Sequence, residues 1–264
     1  MFACLLAGST LVAPVHSAAA ADQGALRAAV AAPTRTAANI ARDRYRHPVE
    51  TLAFFGVRPT DKVVEIWPGG GWYSEILVPY LAQGRGTYVG AAPENRLTGL
   101  RKLVAANPTA YATVRTANFP VFARVPGAPV APGSADVVLT FRNVHNWMMG
   151  KEPFEAEAFK QMYAMLKPGG TLGVVEHRLP ENADAAREKT SGYVKVSTVR
   201  RLAEAAGFRL VATSEINANP LDKTDHPEGV WTLPPNFRLG DKDRARYAVI
   251  GESDRMTLKF VKPR

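Results

Sequence analysis

The stretch VVEIWPGGGWY at residues 63–73 constrains this chain more than any other. It places a carboxylate, Glu65, inside an apolar β-type run and follows it at once with three glycines and an amphipathic segment, SEILVPYLA. Such a run, turn and helix is a strand feeding a glycine turn, where the backbone can approach a ligand closely and the free N–H groups of the helix start favour an electron-rich group.

The same alternation then repeats. Strands are expected at 62–67, 87–91, 113–117, 136–141, 171–176, 208–216 and 256–261, and helices at 72–82, 94–105, 153–166 and 197–206. Runs such as VVEI, DVVLTF and LGVVE are apolar on both faces, as parallel strands covered by helices on each side must be. The expectation is a three-layer, doubly wound α/β domain with a mostly parallel, seven-stranded, Rossmann-like sheet, ligands binding at the strand carboxyl ends.

Residues 22–58 are expected to form a helical N-terminal cap, with Pro48 opening and Gly56 closing its last helix. Residues 217–254, rich in Pro, Asp and Gly, form a long insertion before the last strand and suggest a lid. A chain of 264 residues with 46% hydrophobic and 22% charged residues suffices for one such core.

The first 21 residues carry no Lys, Arg, Asp or Glu, and the apolar run FACLLAGSTLVA precedes a small-residue stretch, HSAAAAD. This pattern predicts a signal peptide over residues 1–21, cleaved near Ala20 or Ala21, and a periplasmic or secreted protein that is not integral to the membrane. The basic residues that usually open a signal are missing, so the start is expected to lie upstream. The only cysteine, Cys4, falls in that segment, which leaves the mature chain no disulfide or thiolate metal site. The net charge of +9 favours anionic ligands or surfaces. Without clustered Lys and Arg interleaved with aromatics, nucleic acid is not expected as a partner.

Read with SADVVLTFRNVHNW at 134–147 and LKPGGTLGVVEH at 166–177, the glycine turn resembles the class I S-adenosylmethionine-dependent methyltransferase superfamily. By DRYRHPVETLAFFGV, DHPEGVWTLPP and GESDRMTLKFV the chain looks most similar to an exported bacterial group of predicted methyltransferases. The resemblance implies methyl transfer to a small-molecule or surface-attached acceptor, with S-adenosyl-L-methionine as cofactor. Glu65, Gly69 and Gly71 match positions that contact its methionine part, and Phe141 ends the fourth strand beside it.

Two positions depart from the pattern. Trp67 replaces the turn's first glycine and either blocks the cofactor or offers its sulfonium an aromatic face. Ala92 stands where a carboxylate accepts both ribose hydroxyls, a loss on the order of 2–3 kcal/mol unless Glu94 substitutes for it. Together with export, these departures leave open a non-catalytic ligand-binding protein on the same scaffold.

His145, just beyond the fourth strand, is the candidate base because an imidazole titrates near neutrality. Packing at the strand–helix junction is its alternative. Arg142 and Asn143 are placed with it in catalysis. Arg42, Arg46, His47, Asn146 and Trp147 are candidate substrate contacts, with Arg42 and Arg46 at i, i+4 holding an anionic group or lying on a solvated face. Glu176 and His177, at the end of the fifth strand, form a second polar pair facing the same rim, with a solvated strand end as the favoured alternative. Asp222, Asp225, His226 and Glu228 offer hard ligands within one loop, but their spacing suits Asp-capped turns better, and no metal is expected. A G-x-S-x-G elbow and an in-register G-x-G-x-x-G are both missing, which disfavours hydrolysis through a serine and dinucleotide redox chemistry.

Overall fold

The structure is a computed structural model that describes residues 15–122 and 128–264. The expected signal segment lies largely outside the described residues, Cys4 included. Four helices come first: α1 (Val15–Val30), α2 (Ala37–Ile40), α3 (Asp43–Arg46) and α4 (Pro48–Phe55). Leu26 and Ala29 of α1 are buried against the domain. Pro48 occupies the first turn of α4, and Gly56 closes it at φ 75°, as expected for a residue that must turn left-handed. Between α1 and α2, Arg35 makes a two-pronged ion pair to Asp43 at 2.6 and 2.7 Å, which fixes the cap's path.

The sheet contains β1 (Lys62–Ile66), β2 (Thr87–Ala91), β3 (Arg115–Ala117), β4 (Ala135–Phe141), β5 (Leu166–Leu179), β6 (Val194–Lys195), β7 (Arg209–Ser214) and β8 (Arg255–Val261). Their order is β3-β2-β1-β4-β5-β8-β7, with β8 antiparallel to both neighbours and β6 pairing with the end of β5. The expected three-layer, mostly parallel arrangement is therefore present. Seven strands form the path of the sheet, and a short eighth, β6, lies off it. β5 runs on to Leu179, and the two-residue β6 pairs with Arg178 and Leu179.

Helices α5 (Ser74–Ala82), α6 (Thr98–Ala106), α7 (Val144–Met148), α8 (Glu155–Met165), α9 (Val196–Ala205) and α10 (Arg244–Ile250) complete the chain. Strand alternation divides the core between the two faces. Val64 and Ile66 pack with Val138, Phe159 and Met162 on one side, and Val63 packs with Val137, Phe55 and Ile76 on the other. Each such side chain, fully buried, contributes roughly 1.5–3 kcal/mol, so apolarity on both faces follows from position in the sheet.

The helix expected over 94–105 is split into a 3-10 turn at Glu94–Arg96 and α6. The break brings Gly99 against the carbonyl of Gly69, where any Cβ would collide with backbone. Tertiary contact with the glycine turn thus sets the start of α6, which local propensity could not.

The insertion 217–254 contains a 3-10 turn (Gly229–Thr232) and α10. Buried Asp222 organises it, accepting from the Tyr193 hydroxyl at 2.9 Å and from the N–H groups of Thr224 and Asp254 at 2.8 Å, and pairing with His226 at 2.8 Å. Asp222 and His226 are thus engaged in holding the loop. No helix among the described residues is long and apolar enough to cross a membrane.

Candidate functional site

The glycine turn leaves β1 through strained backbone. Trp67 has φ 50° and Arg142, at the end of neighbouring β4, has φ 61°, both in the left-handed region. Holding a bulky residue there costs about 1–3 kcal/mol, and such residues gather at functional sites. Trp67 therefore keeps the backbone form of the glycine it replaces. Its indole leaves the turn sideways, donates Nε1–H to the Phe119 carbonyl at 3.1 Å and packs on Trp147 and Phe154. The Arg96 guanidinium lies 4.1 Å from the ring centre.

Glu65 is 3% exposed and accepts from the hydroxyls of Ser74 at 2.9 Å and Tyr88 at 2.7 Å. Burial pushes its carboxyl up to about 7, against the lowering effect of those two donors. Because this lies above the ordinary value of 4.5, the group's contribution to stability is complete below about pH 4.5. It is lost as pH rises through about 7, by an amount on the order of 3 kcal/mol. Glu65→Gln is expected to flatten that loss. Urea midpoints from pH 5 to 8 that fall equally in both proteins would contradict it.

At the end of β4, Asn143 donates from Nδ2 to the Ile66 carbonyl at 2.9 Å and to Thr140 Oγ1 at 3.2 Å, which ties β4 to β1. His145 follows on α7 and is 3% exposed. Its Nδ1 stands 2.9 Å from Glu176 Oε1 on β5. The Glu176 carboxylate also accepts the backbone N–H groups of His145 at 3.3 Å and His177 at 2.8 Å. A carboxylate in that position receives the Nδ1 proton and leaves Nε2 as the nitrogen able to take another. His177 Nδ1 meets Ser253 Oγ at 2.5 Å. Burial, with His145 and the guanidiniums of Arg142, Arg255 and Arg46 nearby, holds the His177 imidazole well below its ordinary range and hence neutral.

Glu176 and His177 are 0% and 8% exposed, which corrects the expectation of a solvated strand end. Although β5 and β8 run side by side at this point, the insertion folds back over the strand ends. Donor atoms of His145, Glu176 and His177 fall within 4.8 Å of one another. The carboxylate, however, already serves three N–H groups and is positioned as a support for the imidazole.

Arg42 and Arg46 do not form a solvated face. Arg46 is 1% exposed, and both reach Glu252 of the insertion, Arg42 Nε at 2.6 Å and Arg46 Nε at 2.9 Å. Arg255 joins the same carboxylate at 3.1 Å. Burial alone would raise the Glu252 carboxyl, but the guanidiniums of Arg46, Arg255, Arg142 and Arg42 overcome it and hold the group at about 2.

These parts meet in a cleft of about 380 Å³ at the strand carboxyl ends, lined among others by Glu65, Gly69, Asn143, Asn146, His145 and Trp231. Phe141 lies on its wall, stacked on Tyr73 with centroids 3.5 Å apart. The insertion supplies Val230, Trp231, Pro234, Pro235 and Asn236 to the far wall.

Four expected site residues do not line the cleft. His47 faces a separate groove with Tyr45 and Asn219, because its left-handed backbone, φ 40°, turns it away at the start of α4. Trp147 is fully buried in the core against Trp67 and Phe159. Glu94 projects from the surface and pairs with Arg101 at 2.7 Å, so it does not replace the carboxylate missing at Ala92. Gly71 shapes the turn at φ 82° rather than lining the cleft. Glu252, Ser253 and Trp231 escaped sequence reasoning. Their only signal was the Pro-rich insertion, since nothing local marks which of its residues turn inward.

An S-adenosylmethionine cofactor fits this cleft in part. Its methionine end matches the turn at Glu65, Gly69 and Gly70. At its nucleoside end the usual anchors are changed: the Trp67 indole is bonded across to the loop after β3, Arg96 covers the ring, and Ala92 has no carboxylate for the ribose.

No family model and no curated protein matches the chain. Solved structures do. A SAM-dependent methyltransferase from Aquifex aeolicus is 13% identical with a TM-score of 0.53, over 91% of this chain and 98% of that one. An arsenic(III) S-adenosylmethionine methyltransferase from Chlamydomonas reinhardtii is 15% identical, TM-score 0.53, over 91% and 73%. The cyclase SpnF is 16% identical, TM-score 0.55, over 94% and 95%. A fold that hosts both transferases and a cyclase does not fix the reaction. With its strand order, its antiparallel β8 and its glycine turn after β1, this chain has the class I S-adenosylmethionine-dependent methyltransferase fold.

Proposed function

We propose that the protein is a methyltransferase that moves a methyl group from a donor, which leaves as its demethylated thioether, to a small-molecule or surface-attached acceptor within this cleft. The observation that carries the reading is convergence: the glycine turn with buried Glu65 and His145, backed by Glu176, open onto one cavity of about 380 Å³. S-adenosylmethionine, when bound, supplies an electrophilic sulfonium methyl. For their part, Glu65 and the N–H groups of the turn hold an amino-acid end, and Asn143 keeps the ends of β1 and β4 in register. His145 Nε2 takes the acceptor's proton while Glu176 stabilises the resulting imidazolium.

Trp67 and Ala92 favour a second reading, a ligand-binding protein without catalysis on the same scaffold. Calorimetry of the purified protein with S-adenosylmethionine and S-adenosylhomocysteine separates the two. Saturable heat that Glu65→Ala weakens at least tenfold is expected for the enzyme, whereas silence at millimolar ligand assigns the binding role. Export is part of the proposal, resting on residues 1–21. A reporter fused after residue 25 should leave the cytoplasm, and its retention there would overturn export.

A further inference from the structure

Three guanidinium groups, those of Arg42, Arg46 and Arg255, share the single carboxylate of Glu252 on one side of the cleft, and Arg142 stands on the cleft wall as a fourth. The neutralisation is incomplete in detail as well as in count. Arg46 Nη2 and Arg255 Nε are buried without any hydrogen-bond partner. Arg142, half-buried on the cleft wall, makes no ion pair among the described residues. Unsatisfied buried guanidinium nitrogens are costly, and their persistence calls for an acceptor that completes them.

The other acidic groups of the cleft do not serve. Glu65 is engaged by two hydroxyls at the turn, and Glu176 by three N–H groups. Burial and the neighbouring Arg142 push the Arg46 guanidinium down to about 9 despite the Glu252 attraction, the direction expected where positive charge is in excess. It remains cationic at neutral pH.

We propose that the cleft contains an oxyanion subsite, formed by Arg46 and Arg142, that takes a carboxylate or phosphate carried on a planar apolar body. Arg42 and Arg255 are its supports, engaged with Glu252 and setting the reach of Arg46. The planar body follows from the adjoining walls: the Tyr73–Phe141 stack and Trp72, over whose ring Arg46 already lies at 4.7 Å. Guanidinium forks match the two-oxygen edge of either anion. The subsite names the substrate class for the cleft proposed above and rests on that cleft being the ligand site, though not on methyl transfer itself.

The test uses the full chain and four probes: benzoate, phenyl phosphate, neutral benzamide and L-methionine, followed by indole fluorescence and calorimetry. Saturable binding of benzoate or phenyl phosphate, weakened at least tenfold by Arg142→Gln and by added salt, is expected, and the stronger of the two distinguishes carboxylate from phosphate. Arg142 is the variant of choice because it carries no ion pair whose loss would unfold the protein. Circular dichroism confirms that Arg142→Gln is folded. Benzamide binding as tightly as benzoate, no saturation by either anion at 10 mM, or unchanged affinity in Arg142→Gln would each overturn the proposal. So would displacement of benzoate by L-methionine but not by phenyl phosphate, because the subsite would then belong to the donor's amino-acid end. Failure here leaves the S-adenosylmethionine calorimetry unaffected, so the two proposals fail separately.

Discussion

Glu252→Gln is expected to lower the unfolding free energy by about 3–5 kcal/mol at neutral pH, the scale for removing one partner of a buried ion cluster. The amide keeps the size of the carboxylate but none of its charge. Arg42, Arg46 and Arg255, bonded to it at 2.6–3.1 Å, are then left to repel one another in a buried setting. The pH dependence gives a second reading of the same group. Its folded-state value of about 2 lies below the ordinary 4.5, so its contribution is complete above about pH 4.5 and is lost as pH falls through about 2. That part is on the order of 3 kcal/mol. Denaturant unfolding of both proteins between pH 2.5 and 7 should show curves that converge toward acid. A change under about 1 kcal/mol at pH 7, outside the range for a buried pair, would show that solvent screens the cluster.

His145→Ala is expected to reduce turnover about 10²–10⁴-fold, the usual contribution of a positioned base, equivalent to roughly 3–5 kcal/mol of barrier. Donor affinity should be unchanged, because the imidazole lies at the β4 end and not at the glycine turn. Glu176→Gln tests the support separately. It removes the negative charge behind the imidazolium, so turnover should fall while the acceptor's KM stays near that of the parent. Turnover unaffected by His145→Ala would leave the residue a packing role against Trp231, whose ring lies 5.9 Å away.

Trp67 accepts left-handed strain, and its side chain recovers it through a hydrogen bond to Phe119 and edge contacts with Trp147 and Phe154. The aromatic cluster that absorbs Trp147, an expected substrate contact, is therefore the one that anchors the indole. A single packing decision removed one residue from the site and narrowed the nucleoside end.

Strand positions were legible because burial on both faces demands continuous apolar runs, and β1, β2, β4 and β8 lie within a residue of where those runs predict them. The glycine turn was legible because few other residues tolerate its backbone. The His145–Glu176 contact was not, since 31 residues separate its members. Nor was the role of Glu252, which meets Arg46 across 206 residues, or the diversion of His47 and Glu94 away from the cleft.

Local chemistry thus determined the alternation of strand and helix, the turn and the polar residues at the ends of β4 and β5. It did so because periodicity and backbone tolerance act between near neighbours. The tertiary structure alone decided which charges share a carboxylate, which histidine has a support and which aromatic becomes core, because these depend on distances between segments far apart in the chain. The electrostatics of the cleft belong to that second class: a guanidinium has no partner, and no excess of charge, until the insertion folds back over the sheet.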